Sequence, residues 1–146
     1  MEKKEEKSLS RNLLLQKEEL EKVKVDLGKG EFVFVRQMTG RERDNFEQSL
    51  IKEKKNAKGE VVSYDRALGD FRAKLAVVTV CDEEGKALFL PDDYSLLSQN
   101  MSAKRLEIIV NAAQKLNAIS EEDKEALVKN SSAEPEDNSS SDSAKN

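Results

Sequence analysis

From residue 103 to residue 116 the apolar side chains Ala103, Leu106, Ile109, Val110, Ala113 and Leu116 recur mostly at steps of three and four. That spacing lines them along one side of an α-helix, and a one-sided helix has to bury its stripe against something else in the fold. Ser102 stands where a hydroxyl can cap the first turn. A second stretch has the same period: Leu68, Phe71, Leu75 and Val78, in a helix predicted to open at Tyr64 or Asp65. Gly69 inside it costs about 1 kcal/mol against alanine, which close packing against a neighbour would justify. The end of this stretch, Val77-Val78-Thr79-Val80, is rich in β-branched residues and fits helix or strand; it is read here as helix.

Nearer the N-terminus the period changes. Val23, Val25 and Leu27 alternate with Lys24 and Asp26, then Gly28-Lys29-Gly30 precedes Phe32-Val33-Phe34-Val35-Arg36. Two β-rich runs around a glycine-rich turn predict a β-hairpin. The second run is apolar on both faces, so part of it is expected to be covered on both sides. Thr39-Gly40-Arg41-Glu42 has capping-box spacing and predicts a helix to about Glu53 with Phe46 and Leu50 inward. Residues 54–63 are polar, contain Gly59 and read as a loop. Cys81 to Phe89 reads as a turn at Gly85 followed by a short extended piece. Pro91 and Asp92 start a short helix through Leu97, and Ser120-Glu121-Glu122-Asp123 opens a last one to about Lys129, its acids favourably placed for the helix dipole. Before the hairpin, Ser8 is expected to cap a short helix to about Leu20 or Glu21. No internal repeat is evident.

Composition excludes several functions. The chain has 146 residues, about one domain, and its 37% hydrophobic and 37% charged shares indicate a modest core with polar ends. A net charge of −4 lacks the basic footprint of a nucleic-acid binder. No histidine is present, which removes the commonest general base and metal ligand. The single cysteine, Cys81, permits neither an intramolecular disulfide nor a cysteine-based zinc site, and fits a reducing cytoplasm. The mixed charges of residues 1–7 and the short run Leu13-Leu14-Leu15 do not make a signal peptide, and no stretch approaches the roughly 20 apolar residues of a membrane span. Residues 131–146, dominated by Ser, Asp, Glu and Asn, cannot offset their ordering entropy and are expected to be disordered.

Each candidate site has a plain structural reading. Asp82, Glu83, Glu84, Asp92 and Asp93 could hold a cation, but their spacing departs from the twelve-residue calcium loop, and a solvated turn with a helix N-terminus explains them. Cys81 has no histidine to activate it and reads as a small buried hydrophobe. Gly28-Lys29-Gly30 lacks the rest of a phosphate loop and reads as a turn. Lys52, Lys54, Lys55 and Lys58, interleaved with Glu53, read as a solvated loop rather than a nucleic-acid contact. No carboxylate pair can be nominated for acid–base work. The run Leu13, Leu14 and Leu15 cannot all face one core from a helix, so one or two lie exposed or meet a partner; a partner groove and core packing of two of them are the alternatives.

Several segments, taken in order, resemble one family. Phe34-Val35-Arg36-Gln37-Met38-Thr39-Gly40-Arg41-Glu42-Arg43 looks like a strand ending in arginine before a charged helix start. Lys74 to Phe89 looks like an apolar helix running into an acidic glycine turn and a Leu-Phe pair. A short helix with an acidic start, a Leu116-Asn117 pair, and Lys129-Asn130 before a polar tail follow. In this order and spacing, over about two thirds of the chain or more, they are similar to the tail assembly chaperones of long-tailed (siphovirus-type) bacteriophages and prophages. Residues 1–20 have no counterpart. The resemblance implies a non-enzymatic protein without cofactor, metal or catalytic residue. It implies binding to the tape-measure protein and the tail tube protein, with self-association along the client. It implies residence in the host bacterial cytoplasm, absence from the mature virion, and in many phages a longer frameshifted form. A minor structural or completion protein of the tail is the alternative of the same composition. Amphipathic helices under a charged surface suit a chaperone of helical hydrophobes.

The expected fold is α+β and helix-dominated. A charged N-terminal extension with a short helix (1–21) precedes a domain (22–130) with a β-hairpin followed by about five helices, then an acidic tail (131–146).

Overall fold

The computed structural model describes residues 5–66 and 68–129. The expected tail, 131–146, lies outside them. The chain is α+β and helix-dominated: an antiparallel hairpin, β1 (Lys22–Gly28) and β2 (Glu31–Arg36), is joined on the far side of β2 by a two-residue strand, β5 (Val80–Cys81), in the order β1-β2-β5. Helices α2 (Gly40–Ser49), α3 (Leu68–Thr79), α4 (Tyr94–Asn100), α5 (Ala103–Leu116) and α6 (Glu121–Lys129) follow the first hairpin. No helix among the described residues is long and apolar enough to cross a membrane.

The first hairpin turns through Lys29 and Gly30, both at positive φ (57° and 78°), the geometry that matches the right-handed twist of the flanking strands. Asp26 braces the bulge before it by accepting a hydrogen bond from the Gly28 amide at 2.9 Å. Covering on both faces is achieved only at the end of β2, where Val35 and Arg36 are buried; Phe32 stays exposed, edge-on to Phe34 and under the Lys24 ammonium.

The central element is α3. Phe71, Ala73, Leu75, Ala76, Val77 and Thr79 are all buried, so this helix is apolar nearly all round, as a core helix must be. It packs against α2, α4 and α5, with Phe71 edge-on to Phe46 of α2 at 5.6 Å. The stripe of α5 is buried as expected: Leu106, Ile109, Val110 and Ala113 face α3, β1 and β2. The β-branched end of α3 is where the reading as helix gives way. The helix stops at Thr79, and Val80 and Cys81 pair with Val35 and Phe34 of β2. Both are about 1% exposed, so the sheet offers these side chains a buried pleated surface that another helical turn would not.

Three other boundaries differ from the sequence reading. The first helix, α1, spans only Arg11–Leu15 and is capped by Ser10, not Ser8. None of its residues is buried, and without a covering surface the leucines cannot sustain a longer helix. Helix α2 keeps Phe46 and Leu50 inward but ends at Ser49, not Glu53. The expected loop 54–63 is instead the turn region of a second hairpin, β3 (Ile51–Lys55) with β4 (Val61–Arg66), which also takes the residues expected to open α3. Its turn is held by Asn56, whose Oδ1 accepts from the amides of Lys58 (2.9 Å) and Glu60 (3.0 Å), and by Gly59 at φ +85°. Only its second strand, from Val61, is β-rich in sequence; the first, Ile51–Lys55, is mostly charged.

Caps close most helices as their sequences predict. Thr39 and Glu42 form a reciprocal capping box on α2, and Ser102 caps α5. Ser120 and Asp123 exchange the same pair of bonds at α6, and these hydrogen bonds hold the Asp123 carboxyl below its ordinary range. Helix α5 ends in a Schellman motif: the Ile119 amide donates to the Gln114 carbonyl (2.8 Å) and the Ala118 amide to that of Lys115 (3.3 Å). Ala118 holds the left-handed position at φ 55°, which glycine adopts at lower cost. Ala118→Gly is therefore expected to raise stability by about 0.5–1 kcal/mol. Urea denaturation checks this, with an unchanged slope and a higher midpoint.

Candidate functional site

The residues following β2 form a polar junction. Arg36, 8% exposed, donates from both terminal nitrogens to the two carboxylate oxygens of Glu42, at 2.9 and 3.0 Å. Such a two-point pair is among the stronger charge-assisted contacts. The hydrogen bond from Arg36 lowers the Glu42 carboxyl, against the opposing effect of burial, and the same bond raises the Arg36 guanidinium. Glu42 Oε1 also accepts from the Thr39 amide, so the ion pair and the helix cap share one carboxylate. Asn117, at the end of α5, accepts from the Met38 amide (2.7 Å) and donates to the carbonyls of Ala113 (3.0 Å) and Arg36 (3.4 Å). Arg43 donates to the Asn117 carbonyl at 3.3 Å. The strand–helix corner is thereby fastened to the far end of α5.

Two open grooves share Phe89, and the first of them borders this junction. The first, about 520 Å³, has an apolar floor of Phe46, Val77, Val78, Phe89 and Pro91, with Tyr94 as one wall. Its rim carries both signs of charge: Arg36 with Glu42, then Lys74 and Asp92. Lys74 spans it, donating to the Ser49 carbonyl at the end of α2 while its ammonium lies 4.8 Å from the Tyr94 ring centre. The second groove, about 710 Å³, runs between α4 and α5 and is lined by Phe89, Leu96, Leu97 and Met101, with Asp93 and Arg105 at its edge. Phe89 is common to both. It is placed there by the tight turn before it: Asp82 Oδ1 accepts from the amides of Glu84 and Lys86, both at 2.9 Å, and Gly85 takes φ +89°. Leu88, Leu90 and Leu96 stand exposed beside the grooves, at 55%, 71% and 61%.

The side chains singled out from sequence do not converge here. Leu13, Leu14 and Leu15 all lie exposed on α1, so of the two alternatives the one in which two of them pack into the core does not hold. Cys81 is buried in the sheet, and burial pushes its thiol up, away from a reactive thiolate. Asp82 is spent on its turn, and Asp93 caps the Leu90 amide at 2.8 Å. Among the described residues no group of three or more His, Cys, Asp or Glu side chains could hold a metal ion. Gly28-Lys29-Gly30 is the hairpin turn, and Lys52, Lys54 and Lys55 lie on β3 with Lys58 in its turn. The grooves were not anticipated. Their one sequence cue is Leu88-Phe89-Leu90 before Pro91: three consecutive apolar residues in an extended piece cannot all face one side.

Apolar floors with charged rims suit the side chains of an amphipathic polypeptide helix. The chain matches no family model, and comparison with curated proteins and with solved structures finds no similar protein.

The junction yields a test. Glu42→Gln keeps an oxygen for the Thr39 amide but leaves the Arg36 charge buried without its counter-ion, a loss expected at about 2–3 kcal/mol. Because the Glu42 pKa is lowered on folding, its contribution is complete above the ordinary carboxylate range and is lost as pH falls through the lowered value. Denaturant titrations are expected to show the wild type's advantage over Glu42→Gln at neutral pH and its shrinkage on acidification below that range.

Proposed function

We propose that this chain is a tail assembly chaperone of a long-tailed phage or prophage, acting by binding alone, without cofactor or catalytic group. Its client is the tape-measure protein, a long helical chain whose apolar faces need cover until the tail tube closes around it. The tube protein is the second partner. The work is done in the host cytoplasm, and the chaperone leaves before the virion is complete.

The observation that carries this reading is the pair of open apolar grooves sharing Phe89, with Leu88, Leu90 and Leu96 exposed alongside. An amphipathic helix laid across them would seat side chains at its i, i+3/i+4 and i+7 positions, the ordinary helix-in-groove mode. Charges of both signs on the rims keep the free protein soluble while its apolar floors stay open. Many copies along one long client would hold it by avidity, with each contact weak. Support also comes from the segments that carry the family resemblance. The run from Phe34 to Arg43 builds the Arg36–Glu42 junction, the acidic turn sets Phe89 between the grooves, and Asn117 fastens the corner.

Co-expression with the tape-measure protein of the same phage is expected to keep that client soluble and to co-purify it with several copies of this chain. Tyr94 is half-buried and Val78 only partly so, and Tyr94→Ala with Val78→Ala is expected to weaken capture about tenfold or more while leaving the fold intact. An insoluble client with nothing bound, together with this chain in purified particles, would reject the chaperone in favour of a structural tail component.

A further inference from the structure

The three-stranded sheet ends at β1, and the hydrogen bonds around it fix which way the backbone of that strand points. The Gln37 amide donates to the Glu21 carbonyl at 2.9 Å, just before the β1–β2 ladder begins. In an antiparallel pair, facing residues alternate between those that exchange hydrogen bonds and those that do not. From Glu21 onward, the facing pairs Val23–Val35 and Val25–Val33 therefore exchange bonds. Lys22, Lys24 and Asp26 turn their amides and carbonyls away from β2. The far side of the sheet has the same phase. The Leu88 amide donates to the Val80 carbonyl and the Asp82 amide to the Lys86 carbonyl, which leaves Cys81 to bond with Phe34 and leaves Val33 and Val35 to bond with β1. Among the described residues no strand or backbone group pairs with the outer side of β1.

The side chains of this edge are open as well. Val23 shares a face with buried Val25 and stands opposite fully buried Val35, yet it is 39% exposed. A core-facing valine left bare at the margin of a sheet is what an adjoining strand would cover. On the other face Lys22 and Lys24 lie exposed two residues apart, and neither is in an ion pair among the described residues. The Lys24 ammonium rests over the exposed ring of Phe32. Asp26, the one acid of the strand, already accepts from the Gly28 amide.

These charges select what the edge can take. Lysines on an open edge deter pairing with apolar strands, because their ammonium groups would lose water without gaining a partner. A strand with acids at two alternate positions meets both lysines, since side chains directly opposite each other stand on the same face. The residues between those acids then fall on the opposite face, beside Val23, where apolar side chains gain cover.

We propose that the outer edge of β1 receives an extended segment of a partner protein in which two acidic residues, two positions apart, alternate with apolar ones. The segment adds a strand to the sheet. Its backbone bonds to Lys22, Lys24 and Asp26, its acids face the two lysines, and its apolar side chains cover Val23. β1 lines neither groove, so the inference does not rest on the chaperone reading.

Amide hydrogen exchange of the full chain tests it, with and without an excess of a synthetic peptide of about nine residues that alternates glutamate with valine. In the free chain the amides of Lys22, Lys24 and Asp26 are expected to exchange faster than those of Val23 and Val25. The peptide is expected to slow those three, whereas a peptide with lysine in place of glutamate is not. Lys22→Glu/Lys24→Glu, at exposed positions and with circular dichroism unchanged, is expected to reverse this preference and to weaken binding of the glutamate peptide about fivefold or more. Lys24→Pro removes one outward N–H while sparing the ladder to β2, and is expected to weaken binding with the charge of Lys22 still in place. Protection of the three amides in the free chain would overturn the proposal, because a second copy or the chain's own acidic stretch 134–137 would then hold the edge. So would exchange at the three amides that the glutamate peptide leaves unchanged, an equal response to both peptides, or a charge-swapped variant that still prefers glutamate.

Discussion

Asn117 holds the two halves of the fold in register. Its side chain ends α5 by bonding back to Ala113, and it also meets the Met38 amide and the Arg36 carbonyl, about eighty residues earlier. Those two backbone groups belong to the corner between β2 and α2, which otherwise would lie beside the core with unmatched polar atoms, at a cost comparable to a lost hydrogen bond. With the corner fixed, Arg36 meets Glu42, Glu42 closes the cap on α2, and α2 presents Phe46 to Phe71. The floor of the first groove is made of these same residues and the end of α3. A polar fastening thus sets the position of an apolar surface.

Core and grooves share Phe46 and Val77 and otherwise draw on different side chains. Among the fully buried side chains are Phe71, Leu75, Ile109, Val35 and Val110, from α3, α5 and β2. The groove residues Val78, Phe89, Leu97 and Met101 are only partly buried and pack against that core from outside. They keep one face open at little expense to the fold, since the apolar area already removed from water elsewhere supplies the stabilisation. Such a division lets the groove surface vary without unfolding the domain.

Much of the fold was legible in the sequence wherever the determinant is local. The first hairpin follows from alternation and a glycine turn, α2 from the spacing of Thr39 and Glu42, and α5 from its stripe. The second hairpin was not legible because Lys52, Glu53, Lys54 and Lys55 show no apolar alternation; its turn is set by the Asn56 side chain and Gly59 instead. The switch from α3 to β5 depends on a strand edge supplied by Val35 and Phe34, nearly fifty residues away. The grooves were hidden for the same reason: Phe46, Val78, Phe89 and Tyr94 come from four segments, and only their packing makes a surface. Leu13, Leu14 and Leu15 were visible as an excess of apolar residues, but that all three lie exposed is a property of the finished body.

The central proposal is that the first groove, floored by Phe46 of α2 and Val77 and Val78 of α3, receives a helix of the tape-measure protein during assembly. The most direct measurement places a photoreactive amino acid at Tyr94, on the wall of that groove, and irradiates host cells while tails are being built. The account requires a covalent adduct between this chain and the tape-measure protein, mapped to an apolar helical face, and no such adduct in finished particles. An adduct that persists in finished particles, or crosslinks to other proteins with none to the tape-measure protein, would contradict it.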